Sequence, residues 1–320
     1  MRFSRQITAA LAVAAAATAF APASQAAEVQ LKAASFLPTR VIFAKFFGDW
    51  VASVNKVCKG KVHISIIGPS AIKSLEQWNA LKTGVIDMHY GPPNYYRGTL
   101  PEASVTDLAT NTLVEQRKNG AWAMLNKIHE QKLNAHYLTQ IGNGLHFFVY
   151  TTKPAKDGKF NGFRLRSVPI YDAFFKSLGA QPVRMAPPAV YTGLERNVVD
   201  GVGWPLWGVN DFSWDKFLKY RYGPGFYSVS VNILVNLDKW KSLSQAQKGC
   251  LNERSKWFEK VWPRWRHDQN AKEFAAQNKS GIKYVDLGKK FAEKAHEIYW
   301  ASLRKSDLQF IDKIKPLLTN

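Results

Sequence analysis

Apolar positions in this chain repeat with a period of two in some stretches and near three and a half in others. The switches between them mark an α/β order. Val29 to Ala34 has strand character, and Ile42, Phe43, Phe46, Phe47, Trp50, Val51 and Val54 then recur at helical spacing, predicting a helix with one apolar face on that strand. Gly60 ends it. Val62 to Ile67 is rich in β-branched residues and stops at Gly68-Pro69, a strand followed by a turn. Ser74 to Gln77 has capping-box spacing for a helix to about Thr83, Gly84 suits a C-terminal glycine cap, and Val85 to Met88 is the next predicted strand.

The same phrase returns at a fixed offset. Trp78, Leu81, Gly84, Val85-Ile86-Asp87 and Pro92 match Tyr191, Leu194, Asn197, Val198-Val199-Asp200 and Pro205, each pair 113 positions apart. Two similar α/β lobes are therefore predicted. Around the second copy, Asn161 to Gly201 reads strand, helix, strand, helix, strand, with Arg166 closing the first strand, a helix to Gly179 and a Pro-marked helix from about Ala189. Gly223-Pro224-Gly225 breaks the chain before the strand-like Ser228 to Val235, a candidate crossing back into the first lobe, and Gln245 to about Gln277 reads as one long helix containing Pro263. The aromatic and basic residues Trp262 to Asp268 are read as rings against a core with arginines reaching solvent.

The first 26 residues have a different character. Arg2 and Arg5 precede an alanine-rich apolar run from Ile7 to Phe20, and Ser24-Gln25-Ala26 offers small residues for cleavage, so residues 1–26 are read as an export signal. The run is shorter than the roughly 20 residues of a membrane span. Export places the mature chain in the periplasm. The sequence carries 44 Lys and Arg against 24 Asp and Glu, a net charge of +20 that favours anionic partners. These basic residues are spread rather than clustered, which argues against nucleic acid. Cys58 and Cys250 permit one disulfide across a very long loop, nominally about 4–5 kcal/mol, with two separate thiols as the alternative.

Catalytic patterns are missing from the sequence: no GxSxG elbow, no HExxH helix and no phosphate-cradling GxxxxGK loop. Gly142-Asn143-Gly144 starts like a dinucleotide fingerprint but has Phe147 where the third glycine belongs, and the seven histidines have no metal-ligand spacing. No cofactor and no metal is expected. An arginine at a strand end is a different matter, because its planar fork fits a carboxylate through two parallel bonds. Arg164 and Arg166 share one strand face by alternation, and Arg166 stands ahead of the turn Ser167-Val168-Pro169. Tyr90 and Trp204 also fall at or just beyond predicted strand ends, where open α/β sheets collect ligands. Such a cleft arginine is expected to be exposed and to add little to folding.

At these residues the chain resembles the DctP-type extracytoplasmic solute receptors of tripartite ATP-independent periplasmic (TRAP) transporters. Gly162-Phe-Arg-Leu-Arg166 is similar to the family's G-x-K-x-R strand, Lys176 to Ala180 and Pro182 to Met185 to its next helix end and strand, and Ala189 to Gly201 to its E-V-Y-T-A-L-x-x-G-V-V-D-G signature. Gly60-Lys-Val, Glu76 to Met88 and Leu100-Pro-Glu102 agree in the first half. The resemblance implies a two-lobe α/β periplasmic binding protein fold, with mixed sheets, helices on both faces, crossing strands and a long spanning helix. Lobe I would comprise 27–147 with about 232–265, and lobe II 148–231 with about 266–320.

Arg166 would hold the carboxylate of an organic acid in the cleft. The wider ligand-binding set expected is His146, Trp204, Tyr90, Asn143, Phe36, Tyr95, Met185, Gly203 and Phe226. His146 stands where some members carry a second arginine, and Gly203-Trp204 where many have Glu-Asn, which points to a drier site. A monocarboxylate, aromatic or a short keto or hydroxy acid, is favoured over a dicarboxylate. The expected partners are the small and large membrane subunits of a TRAP permease, with the receptor a monomer and not an enzyme. A periplasmic enzyme on a small organic acid, or a ligand-presenting sensor subunit, is the alternative.

Overall fold

The computed structural model describes residues 27–319, so the export signal read at 1–26 lies outside the described residues. The chain begins β1 (Val29–Ser35), α1 (Ile42–Val57), β2 (Val62–Ile67), α2 (Gln77–Lys82), β3 (Met88–Gly91), α3 (Leu113–Lys118), α4 (Ala121–Leu133) and β4 (Ala135–Ile141). It continues through β5 (His146–Thr151), β6 (Arg164–Ser167), α5 (Asp172–Ser177), β7 (Gln181–Arg184), α6 (Val190–Glu195), β8 (Gly201–Pro205) and β9 (Tyr220–Ser228). It ends with β10 (Val231–Asn236), α7 (Leu237–Ser242), α8 (Gln245–Lys279), β11 (Lys283–Asp286), α9 (Lys289–Arg304) and α10 (Leu308–Leu318). No described helix is long and apolar enough to cross a membrane.

Two mixed sheets organise these elements. The first has the order β2-β1-β3-β10-β4, and the second β11-β9-β5-β8-β6-β7. Within them β1 is parallel to β2 and β3, as β6 is to β7 and β8, while β10 runs antiparallel to β3 and β4, as β5 does to β8 and β9. Apart from β11, the sheets are therefore built alike. The antiparallel strand inside each sheet arrives from the other lobe, β5 from β4 and β10 from β9, so the chain crosses twice. Val229 N–H donates to Leu145 O at 2.7 Å where the two crossings meet.

Equivalent residues of the repeat perform equivalent tasks. Gly84 and Asn197 both have left-handed backbones, with φ of 77° and 55°, and stop α2 and α6. The next two amides, Val85 and Ile86 or Val198 and Val199, turn back to the carbonyl of Ala80 or Gly193. Asp87 then accepts from Lys32 N–H on β1, and Asp200 from Arg164 N–H on β6, each at 2.9 Å. For this reason β3 and β8 begin at Met88 and Gly201, three residues after the positions the apolar pairs predicted. Val85 and Val198 are exposed. Burial pushes the Asp200 carboxyl up, but hydrogen bonds from Arg164 and Lys153 hold it below its ordinary value.

Four other expectations need correction. Ser74 does not cap α2; its hydroxyl donates to Phe36 O, and Gln77 Nε2 donates to Ser35 O, fastening the loop after β1. Gly223-Pro224-Gly225 does not end a strand, because β9 runs through it with irregular register opposite β5, as a proline at a bulge permits. The C-terminal segment does not all join lobe II: α10 packs on α4, with Thr110 and Asn111 N–H donating to Leu318 O. The boundary expected after 147 falls earlier, since β5 starts at His146 in the second sheet.

Helix α1 buries Phe43, Phe46, Phe47, Trp50, Val51 and Val54 as its spacing predicted, and Phe47 stacks on Tyr90 of β3 at 4.4 Å. Full burial of such a phenylalanine stabilises by about 1.5–3 kcal/mol. Cys58, the residue after α1, is bonded to Cys250 of α8, closing 192 residues of sequence. Helix α8 then spans both lobes. Glu259 pairs with Arg117 beside β4, whereas Gln277 donates to Leu206 O and accepts from Arg221 in the second lobe. Trp262 Nε1 donates to Asn143 O at the crossing, and Trp265 packs on Phe46, the core role read for this stretch.

Candidate functional site

A cavity of about 40 Å³ lies between the sheets. That is room for roughly three waters, at 10–15 Å³ of accessible space each. The first lobe contributes Phe36 and Phe43 from either side of the start of α1, and Pro92, Asn94 and Tyr95 from the turn after β3. From the second come Phe147 of β5, Arg166 of β6, Val168 and Tyr171 after it, and Trp204-Pro205 of β8. Val229, Ser230 and Val231 at the β9–β10 crossing form its back. The lining is mostly apolar, with few groups able to form hydrogen bonds.

Arg166 is the exception. It is 1% exposed, at the carboxyl end of a strand held between β7 and β8. The chain past β7 supplies Met185 O, which accepts from Nε at 2.9 Å, and β8 supplies Gly203 O, which accepts from Nη1 at 3.2 Å. The Trp204 ring lies 5.2 Å from the guanidinium carbon. Nη2 has no partner, and among the described residues no carboxylate pairs with this arginine. Burial pulls its ordinary pKa down, while the nearby Tyr95 and Tyr171 phenols act in the opposite sense. Burial raises both phenols, Tyr171 well above its usual value, so they stay neutral and do not balance the charge. A buried ion without its counter-ion costs several kcal/mol, and an incoming anion relieves that cost. The expected exposed arginine is thus a buried one. Arg164, two residues away, instead pairs with Asp200 at 3.1 Å.

Of the ten residues singled out in the sequence, Phe36, Tyr95, Arg166 and Trp204 line the cavity. Trp204 offers only its ring, because Nε1 already donates to Trp207 O at 2.8 Å. Met185 and Gly203 serve through their carbonyls on Arg166, and a side chain at Gly203 would meet Phe175 at 2.7 Å. Tyr90 stands behind Phe36, 5.6 Å between rings, with its hydroxyl donating to Phe43 O.

The remaining three do not border the cavity. His146 is exposed and bonded to Tyr227 O, since strand alternation sends its neighbour Phe147 inward. Asn143 holds the crossing, its amide donating to Asn111 O and its carbonyl accepting from Trp262 and Arg266. Phe226 is buried among Phe174, Tyr227 and Phe291 in the second lobe's core.

Sequence reading missed Asn94, Tyr171 and Ser230. The signal for the first was its place beyond β3, the strand the repeat equates with β8; the other two sit on turns whose direction only the packed sheets set. Among the described residues no cluster of histidine, cysteine or carboxylate side chains is arranged to hold a metal ion.

Two like-built lobes, twin crossing strands and a buried unpaired cation facing the cleft define a two-lobe binding protein of the periplasmic type. Residues 34–306 match the family described as bacterial extracellular solute-binding protein, family 7, or DctP. The chain belongs to that family, one of extracellular receptors rather than enzymes.

A curated relative is the 2,3-diketo-L-gulonate-binding periplasmic protein YiaO of Escherichia coli, 26% identical over 217 residues. That match spans 63% of this chain and 63% of the relative's length. Among solved structures, a TRAP transporter solute-binding protein of Bordetella bronchiseptica, with copurified calcium and picolinate, has a TM-score of 0.79 at 18% identity, covering 91% of this chain and 92% of its own. An extracytoplasmic solute receptor of Bordetella pertussis binding pyroglutamic acid has a TM-score of 0.78 at 13% identity, covering 89% and 99%.

Proposed function

We propose that this chain captures an organic acid anion between its lobes, with the carboxylate on Arg166, and delivers it to a TRAP-type permease of small and large membrane subunits. The observation that carries the reading is the buried guanidinium with a free Nη2, two carbonyl partners and no carboxylate partner among the described residues. A carboxylate there replaces water with charge-assisted hydrogen bonds in a dry site. The lobe boundaries suit this role, because the ligand touches both lobes and so prefers the closed arrangement.

A monocarboxylate fits better than a dicarboxylate. Arg166 is the one cationic side chain lining the cavity among the described residues, and a second carboxylate would meet apolar walls. The relatives' ligands support an acid of some kind, and picolinate and pyroglutamic acid are compact rings with a single acid group. A polyhydroxylated acid such as diketogulonate asks for more polar partners than Asn94, Ser230, Tyr95 and Tyr171 supply.

Titration calorimetry over a panel of mono- and dicarboxylates tests the proposal. A monocarboxylate is expected to bind and Arg166→Ala to lose it. An Arg166→Ala variant that binds with undiminished affinity would sink the assignment.

A further inference from the structure

Buried polar side-chain atoms without a partner are scattered through the molecule, but only two of those described belong to residues lining the cavity: Nη2 of Arg166 and Oδ1 of Asn94. They have opposite hydrogen-bonding character. One is a cationic donor and the other a neutral acceptor. Asn94 is 6% exposed and sits in the tight turn Pro93–Tyr95 directly after β3, with proline on either side of the turn's start. Its neighbour Tyr95 interacts with Arg166, so the amide and the guanidinium are on adjoining walls of one small space. Of the other polar groups in the lining, Ser230 is already engaged by Thr106, Gln140 and Asn232, and Tyr95 and Tyr171 carry hydroxyls that donate as well as accept, unlike the amide oxygen.

A buried acceptor left unpaired is costly, and the cost falls on any ligand that covers it without donating to it. We infer that Asn94 is a specificity-determining residue, whose amide oxygen accepts from a hydroxyl or N–H group carried next to the ligand's carboxylate. The preferred ligands are hydroxy acids, or acids with an adjacent N–H. Keto acids and unsubstituted acids of the same skeleton present no donor there. This rests on the proposed carboxylate site at Arg166 and narrows the keto or hydroxy class to its hydroxy half.

The test uses two matched series, lactate, pyruvate and propionate, and mandelate, phenylglyoxylate and phenylacetate, titrated calorimetrically against the full mature chain. In at least one series the hydroxy acid is expected to bind roughly tenfold tighter than the other two acids, the worth of one buried hydrogen bond. Asn94→Ala and the near-isosteric Asn94→Leu are expected to level that ratio while Arg166→Ala abolishes binding of every member. Thermal melts confirm that each variant is folded, and the wild-type ratio stands without them.

Acids that bind wild type and are lost in Arg166→Ala, but without a hydroxyl preference, overturn the role of Asn94 and leave the carboxylate site standing. A preference for the keto acid overturns it too. No binding across either series overturns both readings together.

Discussion

Replacing Arg166 with alanine is expected to weaken acid binding at least roughly a hundredfold, since the lost bonds are charge-assisted and desolvated. Arg166→Lys keeps the charge but not the planar fork, and is expected to recover only part of the affinity. Arg166→Met separates folding from binding. It removes a buried cation that lacks a counter-ion in the ligand-free protein, so its melting temperature is expected to be no lower than that of wild type, while the ligand-induced rise disappears. A large fall in the unliganded melt would mean that the two carbonyl bonds outweigh the buried charge. Tryptophan fluorescence is a convenient readout, because Trp204 lines the cavity 5.2 Å from the guanidinium carbon. The legible part of the site was this arginine with Trp204, Phe36 and Tyr95. His146 was misjudged because its place in the sequence could not say which face of β5 it would take.

Elements meet across the cleft as well as within each lobe. Helix α1 has no acidic residue in its first turn and no capping side chain of its own. Its first amide, Ile42 N–H, donates at 2.8 Å to Oδ2 of Asp211, which follows β8 in the second lobe. A carboxylate at a helix N-terminus satisfies an orphan donor and complements the dipole. Here the cap joins the two lobes. Asp211→Ala is expected to cost the closed form about 1 kcal/mol, read as roughly fivefold weaker acid binding by calorimetry. Unchanged affinity would show that the contact survives opening.

The repeat offers a second test at this scale. Gly84→Ala and Asn197→Ala are each expected to cost about 1 kcal/mol in urea melts, because both positions need a left-handed backbone. Asn197→Gly is expected to cost less than Asn197→Ala. Helix and strand types were readable from periodicity, whereas strand starts were not. The Asp87 and Asp200 carboxylates hold neighbouring strands, and that bond delays β3 and β8 by three residues.

For the molecule as a whole, acid sensitivity follows from three buried imidazoles. Burial lowers His89 from 6.5 to about 3, and lowers His129 and His136 to about 4. These groups stay neutral in the fold but take up protons when unfolded, so stability is expected to be lost as pH falls below about 6.5. Glu273 opposes them. Burial raises it from 4.5 to about 7, so its contribution is present at low pH and lost as pH rises through that window. Desolvation raises Asp107 as well and lowers His146 and His296, so five imidazoles against two carboxyls leave the histidines dominant, and urea melts at pH 6.5 and 4.5 should show lower stability in acid. His129→Gln should make the slope shallower. The Cys58–Cys250 bond adds a second global term, since it closes 192 residues. Its removal by a double serine variant is expected to cost about 2–5 kcal/mol. Acid affinity should change little, as neither cysteine lines the cavity.

The sequence by itself determined the α/β class, the two-lobe repeat, the long helix from Gln245 and the arginine at a strand end. These follow from periodicity, glycine caps and side-chain chemistry, which are local and survive without neighbours. It left the cysteine pairing open and singled out several residues that do not border the cavity, because each depends on how distant segments meet. Only the tertiary structure decided that Arg166 is buried rather than exposed, flanked by carbonyls from β8 and from the chain past β7, and that Asn94 lines the same space with its oxygen unpaired. A free donor or acceptor is a property of everything around it, and no single stretch of chain contains that information.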